Sequence, residues 1–348
     1  MFNGVGNSIY LSSLNNGTVS LDDIPDDTPV FLSLHMEEER SAQYVEQMMA
    51  LCKALNDKKC PILADISSKT LTWFQEKTIL DLVRKLNLWA VRIDDGFSTE
   101  EMIHVAMEYP IVLNASTVSL TELRILKSYG EILAMHNYYP RKETGLDDEY
   151  FTSVNHLLKK EGIPIFAFIP GKQKRGPLFE GLPTLESQRY QNAYVNYLEM
   201  VKKYHVDQVF LGDPILDDKD RWMIDTFITK DIIVVPIELD KDYAYLYDTV
   251  FSNRMDAPKG LIRIAQSRGY GSIGSQDITP QNTVERERGT LTIDNKLYKR
   301  YCGELQITRK GYPKDEKVNV IGKVPKAYQS VLDFIGRRDS FVMVKAQE

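Results

Sequence analysis

Residues 89–97 read WAVRIDDGF. Trp89–Ile93 is a short, partly β-branched apolar run broken only by Arg92, and it ends on Asp94, Asp95 and a glycine. A run of this length stopped by turn residues reads as a strand buried on both faces, the kind found in parallel sheets. The pattern recurs outward in both directions, at Ser8–Leu11, Val30–Leu34 and Pro61–Ile66, then at Ile111–Asn114, Ile132–Met135, Pro164–Ile169 and Gln208–Leu211. Most of the intervening segments have helical period. Arg40–Asn56 places Tyr44, Val45, Met48, Met49, Cys52 and Leu55 on one face, and Leu120–Ser128, Asp147–Lys160 and Gln188–Tyr204 behave alike. Strand–helix alternation argues for a parallel sheet. Eight strands in about 215 residues predict an α/β fold, a TIM-like (β/α)8 barrel, whose usual length is about 250 residues. The weakest link is the first crossover, residues 11–29, where Asn15-Asn16-Gly17 and two prolines leave no room for a full helix. A doubly wound open sheet is the competing topology.

The texture changes after Lys230. Helical periodicity fades, and β-like runs follow: IIVVPIEL, GLIRIAQS, GTLTIDN, GELQITRKG, VNVIGKV and SFVMVKA. The expected organisation is a barrel domain over 1–230 and a smaller, mostly-β domain over 231–348, read as a small closed barrel.

The 348 residues carry 43 Lys+Arg against 49 Asp+Glu, a net charge of −6. That balance lacks the basic footprint of duplex nucleic-acid binding. No apolar run approaches the roughly 18 residues of a membrane span, and MFNGVGNSIYLSS lacks the basic-then-apolar pattern of a signal peptide. A cytoplasmic location is expected, with Cys52, Cys60 and Cys302 as reduced thiols, since their number and spacing suit neither a disulfide framework nor zinc. Gly269–Gly274 matches G-x-G-x-x-G, but SQDITPQ after it does not open a helix, so a dinucleotide site is not expected.

In a barrel, the C-terminal ends of the strands and the loops after them build the active site. Those positions are polar throughout: Ser33 and His35; Asp65; Arg92 and Asp94; Asn114; His136, Asn137, Tyr138 and Arg141; Lys172, Lys174, Arg175, Glu180, Glu186 and Arg189; Asp213. Taken singly, each has a plainer use, such as a helix cap or a solvated loop. Taken together, carboxylates suit the paired acid chemistry of glycosidic cleavage, and amides and tyrosines suit a polyhydroxylated sugar. Arg141, Lys172 and Arg175 suit an anionic group such as phosphate. On this reading Asp65, Asp94, Asp213, Glu180 and Glu186 are the candidate acids. His35, Arg92, Asn114, His136, Asn137, Tyr138, Arg141, Lys172, Arg175 and Arg268 are candidate substrate contacts, and no metal site is expected.

GNSIYLS, SLH, RIDDGF, LNAST, HNYYPRKETGL, AFIPG and FEGLPTLESQR resemble the MupG-type 6-phospho-N-acetylmuramidase family, and RGTLTIDNKLYKRYCGELQI with VNVIGKV resembles its C-terminal domain. The resemblance runs almost end to end. It implies a TIM-like barrel followed by a cyclophilin-like β domain. It also implies cytoplasmic cleavage of N-acetylmuramic acid 6-phosphate linked to N-acetylglucosamine, a phosphorylated disaccharide from cell-wall recycling, with no cofactor. Two departures stand out: the segment after the first strand is shorter than is usual in the family, and the residue after Asp94, usually aromatic there, is Asp95.

Two other functions compete. A sugar-phosphate aldolase or isomerase working through a Schiff base needs a lysine inside the barrel, and none of the eight candidate strands has one. A non-enzymatic sugar-binding protein predicts a secretion signal and few carboxylates at the strand ends, neither of which the sequence shows.

Overall fold

The computed structural model describes residues 2, 4–267 and 278–346. The chain divides into two compact units, Met1–Asp218 and Lys219–Glu348.

The first unit is a closed barrel of eight parallel strands in sequential order: β1 (Gly6–Ser8), β2 (Val30–Ser33), β3 (Ile62–Ser67), β4 (Ala90–Asp95), β5 (Ile111–Asn114), β6 (Ile132–Met135), β7 (Ile165–Ile169) and β8 (Gln208–Leu211). It closes where Gly6 and Asn7 pair with Phe210 and Leu211. The doubly wound alternative is thereby excluded. The first strand lies earlier than Ser8–Leu11, because Leu11 opens a five-residue helix, α1 (Leu11–Asn15). Gly6 belongs in β1 for a steric reason: a Cβ there would sit 2.3 Å from the Phe210 ring. The first crossover is abbreviated as expected, with α1 followed by one 3₁₀ turn at Leu21–Asp23.

The remaining crossovers carry α2 (Tyr44–Asp57), α3 (Ser68–Phe74), α4 (Ile79–Leu86), α5 (Thr99–Ala106), α6 (Leu120–Lys127), α7 (Asp148–Lys160) and α8 (Ala193–Leu198). Their buried faces follow the helical repeat, as in Tyr44, Met48, Leu51, Cys52 and Leu55 of α2. Their starts are set by local chemistry: Thr78, Ser98, Ser119 and Asp147 each accept a backbone N–H three residues on. The helix expected from Gln188 starts only at Ala193, capped by Asn192, and widens into a π-helical turn at Glu199–Lys203.

Side chains alternate across each strand, and one set fills the barrel: Phe31, Leu63, Ala90, Val112, Leu133, Met135, Phe166, Phe168 and Phe210. This apolar plug is the floor on which the polar strand ends stand.

The second unit contains most of α9 (Asp218–Lys230) and a seven-stranded sheet. Its strands are β9 (Ile232–Leu239), β10 (Val250–Ser252), β11 (Leu261–Arg263), β12 (Thr290–Asp294), β13 (Leu305–Thr308), β14 (Val318–Lys323) and β15 (Ser340–Lys345), in the order β10-β15-β9-β14-β12-β13-β11. The β9–β15 pair is parallel and the others antiparallel. A small closed barrel was the expectation; the two ends of this strand order are joined by an isolated antiparallel bridge, Asn253–Ile264. β10 is too short and too mixed, Val250-Phe251-Ser252, to stand out in the sequence.

At the exit of β8, a Cβ on Gly212 would lie 2.1 Å from the Leu182 carbonyl oxygen. That contact is with backbone, which has little freedom to yield, so Gly212→Ala should destabilise the barrel by about 1–3 kcal/mol. Chemical denaturation against the wild type measures it; an unchanged midpoint would show that the loop moves freely.

Candidate active site

The apolar plug and the site above it come from the same alternation. Two residues beyond Phe31, Leu63, Ala90 and Met135 stand Ser33, Asp65, Arg92 and Asn137, which therefore face the same way at the C-terminal ends of their strands. Register makes neighbours of three of them: Asp65 pairs with Ser33 on β2 and with Arg92 on β4. The pairing then slips. Ile66 opposes Ile93, but Ser67 opposes Asp95, which leaves Asp94 as the extra residue of a bulge. Bulges re-aim side chains, and Asp94 is 37% exposed where Asp65 is 9%. Leu34 continues along β3 through a 2.8 Å bond from its N–H to the Asp65 carbonyl, which brings His35 over both carboxylates.

The result is a compact constellation. Arg92 Nη1 donates to Asp65 Oδ1 at 2.7 Å and lies 3.7 Å from Asp94 Oδ1. The His35 ring stands between the acids, Nδ1 3.8 Å from Asp65 Oδ2 and Nε2 3.7 Å from Asp94 Oδ2. Arg92 Nη2 donates to Asn137 Oδ1. Burial pushes the Asp65 carboxyl above its usual range; Arg92 and His35 pull it back and Asp94 pushes it further up, and the net direction is upward. These groups line a cavity of about 190 Å³, with Ser33 on the same polar wall and Phe31, Met36, Tyr138 and Phe168 on the apolar one. The Tyr138 ring meets Phe168 edge-on at 5.1 Å, and its hydroxyl hydrogen-bonds Tyr10. Tyr10 donates to the Gly212 carbonyl and lies 4.1 Å under the Arg175 guanidinium.

Of the candidates in the sequence, His35, Asp65, Arg92, Asp94, Asn137 and Tyr138 are brought together here. Most of the others are engaged elsewhere. Asp213 is fully buried and accepts the backbone N–H groups of Arg175 and Leu182 at 3.0 and 2.8 Å, tying down the loop after β7. Glu186 forms a two-pronged ion pair with Arg189, which holds its carboxyl down at about 2. Arg189 donates in addition to the carbonyls of Tyr139, Arg141 and Gly181, each at 3.0 Å, and so staples the loop after β6 to the loop after β7. Glu180 pairs with Lys142 and accepts from the Tyr190 hydroxyl. Lys172 pairs with Asp217 at 3.0 Å. Arg175 bonds Glu39 at 3.1 Å, a carboxylate also bound by the Ser12 hydroxyl. Asn114 accepts from the Ser116 N–H in its own turn. The Arg141 side chain is exposed, and no hydrogen bond or ion pair engages its guanidinium among the described residues. Arg268 and the 269–274 glycine motif lie outside the described residues.

His136 is buried between Ser116 Oγ, 3.2 Å from Nδ1, and Asn155 Oδ1, 2.8 Å from Nε2. Asn155 uses its amide N–H on the Tyr204 carbonyl, so the oxygen faces His136 and Nε2 is the protonated nitrogen. His136 braces α7 against the barrel. The sequence reading passed over Phe31, Met36 and Phe168, although strand alternation alone places Phe31 and Phe168 inside. Glu39, in the charge run Glu37–Arg40, carried no signal. Among the described residues, no group of three or more His, Cys, Asp or Glu side chains is placed to hold a metal.

The N-terminal profile of 6-phospho-N-acetylmuramidase matches residues 5–225, and the C-terminal profile matches residues 233–344. The chain belongs to the 6-phospho-N-acetylmuramidase family. A crystal structure of a conserved protein of unknown function from a locus in Enterococcus faecalis is similar over 98% of this chain and 96% of that one, with a TM-score of 0.83 and 30% identity. An uncharacterized B. cereus protein shares the fold over 99% of this chain and all of its own, with a TM-score of 0.78 and 21% identity. A search of curated proteins found no match. No described helix of this family member is long and apolar enough to cross a membrane.

Burial lowers the His136 pKa from 6.5 to about 4. Its folded value lies below its unfolded one, so the stability tied to its neutral form is complete above pH 6.5 and is lost as pH falls toward 4. The loss amounts to about 3 kcal/mol. His136→Gln should flatten that part of the stability–pH curve measured by urea titration; an unchanged slope would refute the neutral, buried histidine. Arg189→Ala leaves three carbonyls and Glu186 without their donor. It should free the two loops, seen as faster amide exchange at Tyr139–Arg141 and a lower melting temperature.

Proposed function

We propose that the protein hydrolyses the glycosidic bond between N-acetylmuramic acid 6-phosphate and N-acetylglucosamine, in recycling of cell-wall sugars in the cytoplasm. The observation that carries the reading is the Asp65–Arg92–Asp94–His35 constellation at the mouth of a family member's barrel. Glycosidic cleavage needs a group that gives a proton to the leaving oxygen and a second carboxylate that serves the anomeric carbon. Two acids in unlike surroundings divide these tasks. Asp65, buried and pushed upward, is assigned as the acid. Asp94, carried on the bulge and open to the cavity, is assigned as the second carboxylate. Arg92 holds Asp65 and neutralises part of the charge of both, and the His35 ring stands between them. Tyr138 offers an aromatic face to the sugar. Among the described residues no lysine lines the cavity, which counts against Schiff-base chemistry.

The 6-phosphate is assigned to Arg141, on the loop that also bears Asn137 and Tyr138. Lys172 and Arg175 are already ion-paired with Asp217 and Glu39. Asp213, Glu180 and Glu186 keep structural roles on this reading.

The test is release of reducing sugar from the phosphorylated disaccharide. Asp65→Asn and Asp94→Asn should each lower kcat by 10²–10⁴-fold, with far-ultraviolet circular dichroism unchanged. Near-normal turnover in both variants, or no cleavage by the wild type, would refute the assignment. Wild type should also prefer the phosphorylated over the unphosphorylated disaccharide, and Arg141→Ala should erase most of that preference.

A further inference from the structure

The orientation of the Asn137 amide can be read without ambiguity. A guanidinium only donates, so the atom of Asn137 that meets Arg92 Nη2 is its oxygen. Arg92 is itself fixed, 4% exposed and bonded to Asp65 at 2.7 Å. The main chain of Asn137 is held as well, its carbonyl accepting from Thr184 Oγ1 at 2.9 Å. With Oδ1 committed, the two hydrogens of Nδ2 are left for the cavity that Asn137 lines, and no described protein acceptor takes them. Polar atoms in native proteins are almost always satisfied, so this amide nitrogen, facing the cavity without a protein acceptor, points to a ligand group that accepts.

The charge around the cavity narrows the choice. Asp65 and Asp94 line the same cavity. A carboxylate or phosphate placed there would face both acids, at a cost that rises in a poorly solvated site. A neutral carbonyl oxygen accepts hydrogen bonds without that penalty. In a 2-acetamido sugar, the amide carbonyl hangs from the carbon next to the anomeric centre. A sugar placed with its anomeric carbon between the acids must therefore bring its acetamido group to the wall beside them.

We propose that Asn137, oriented by Arg92, reads the 2-acetamido carbonyl of the sugar being cleaved, and so makes the site selective for 2-acetamido over 2-hydroxy sugars. Arg92 is a positioning residue in this role, and Asn137 is a binding residue. The inference rests on the glycosidase reading above.

The experiment compares two phosphorylated disaccharides that differ only at carbon 2 of the muramic ring, acetamido against hydroxyl. A site built to donate to a group rejects the analogue that lacks it, because its own polar atoms are left unpaired. Wild type should favour the acetamido substrate in kcat/KM by about 100-fold or more. Asn137→Asp keeps an acceptor for Arg92 but turns the donor into an acceptor. It should reduce that ratio at least tenfold, mainly through loss on the acetamido substrate. Asn137→Ser, checked by its melting temperature, should reduce the ratio in the same direction. A ratio unchanged in both variants, or equal losses on both substrates, would overturn the proposal while leaving the glycosidase reading intact. If the wild type cleaves neither disaccharide, and calorimetry detects no binding of N-acetylmuramic acid 6-phosphate, the glycosidase reading fails and takes this one with it.

Discussion

A buried ion pair governs the top of this barrel. Asp65 and Arg92 sit on adjacent strands, paired in register, with side chains 9% and 4% exposed and 2.7 Å between them. Removing two charges from water costs several kcal/mol per ion, and their attraction offsets that only with good geometry and further hydrogen bonds. The further bonds determine the rest of the site. Arg92 reaches Asn137 on the far side and lies near Asp94, and His35 covers the second oxygen of Asp65. The site is therefore a charge network in which moving one member exposes another. Its floor is the aromatic plug of Phe31, Phe166, Phe168 and Phe210, which keeps water from below and makes the burial severe.

The protein has several carboxylates near strand ends, and the surroundings of each separate chemistry from construction. Asp213 is the most buried, yet its oxygens are taken by backbone N–H groups of the loop it anchors. Glu186 is locked by both prongs of Arg189, which holds it ionised far below neutral pH. Both are already engaged by donors of the protein itself. Asp94 differs in standing on a bulge with its side chain open to the cavity, and Asp65 in bordering that cavity while buried. The cations divide in the same way: Arg189 serves the loops, Arg175 serves Glu39, and Arg92 serves the cavity.

Most of the barrel was legible because parallel strands buried on both faces announce themselves as short apolar runs. Ile111–Asn114, Ile132–Met135 and Gln208–Leu211 coincide with β5, β6 and β8. β1 was misplaced by a few residues, since Gly6-Asn7-Ser8 has no apolar signature and is a strand only because Phe210 and Val30 lie on either side. β10 escaped for a similar reason, being three residues long and defined by its pairing with β15. Within the site, strand ends could be listed, but the list did not distinguish Asp65 from Asp213, or Asn137 from Asn114. Those distinctions depend on partners 27 to 45 residues away along the chain.

The alternation of strands and helices, the polar character of one end of the barrel, the change of texture after Lys230 and the family were all readable from the chain alone. These follow from local composition and period, which fix what each segment buries. Which polar residues share a cavity depends on how the closed barrel brings distant segments together. A bulge at Asp94 is a mismatch between two strands, and the orientation of Asn137 depends on a guanidinium 45 residues away. The lowered pKa of His136 comes from its burial, against the opposing pull of its hydrogen bond to Asn155. Each is a property of neighbours brought together by closure of the barrel, where burial makes the pairing of every charge and donor compulsory.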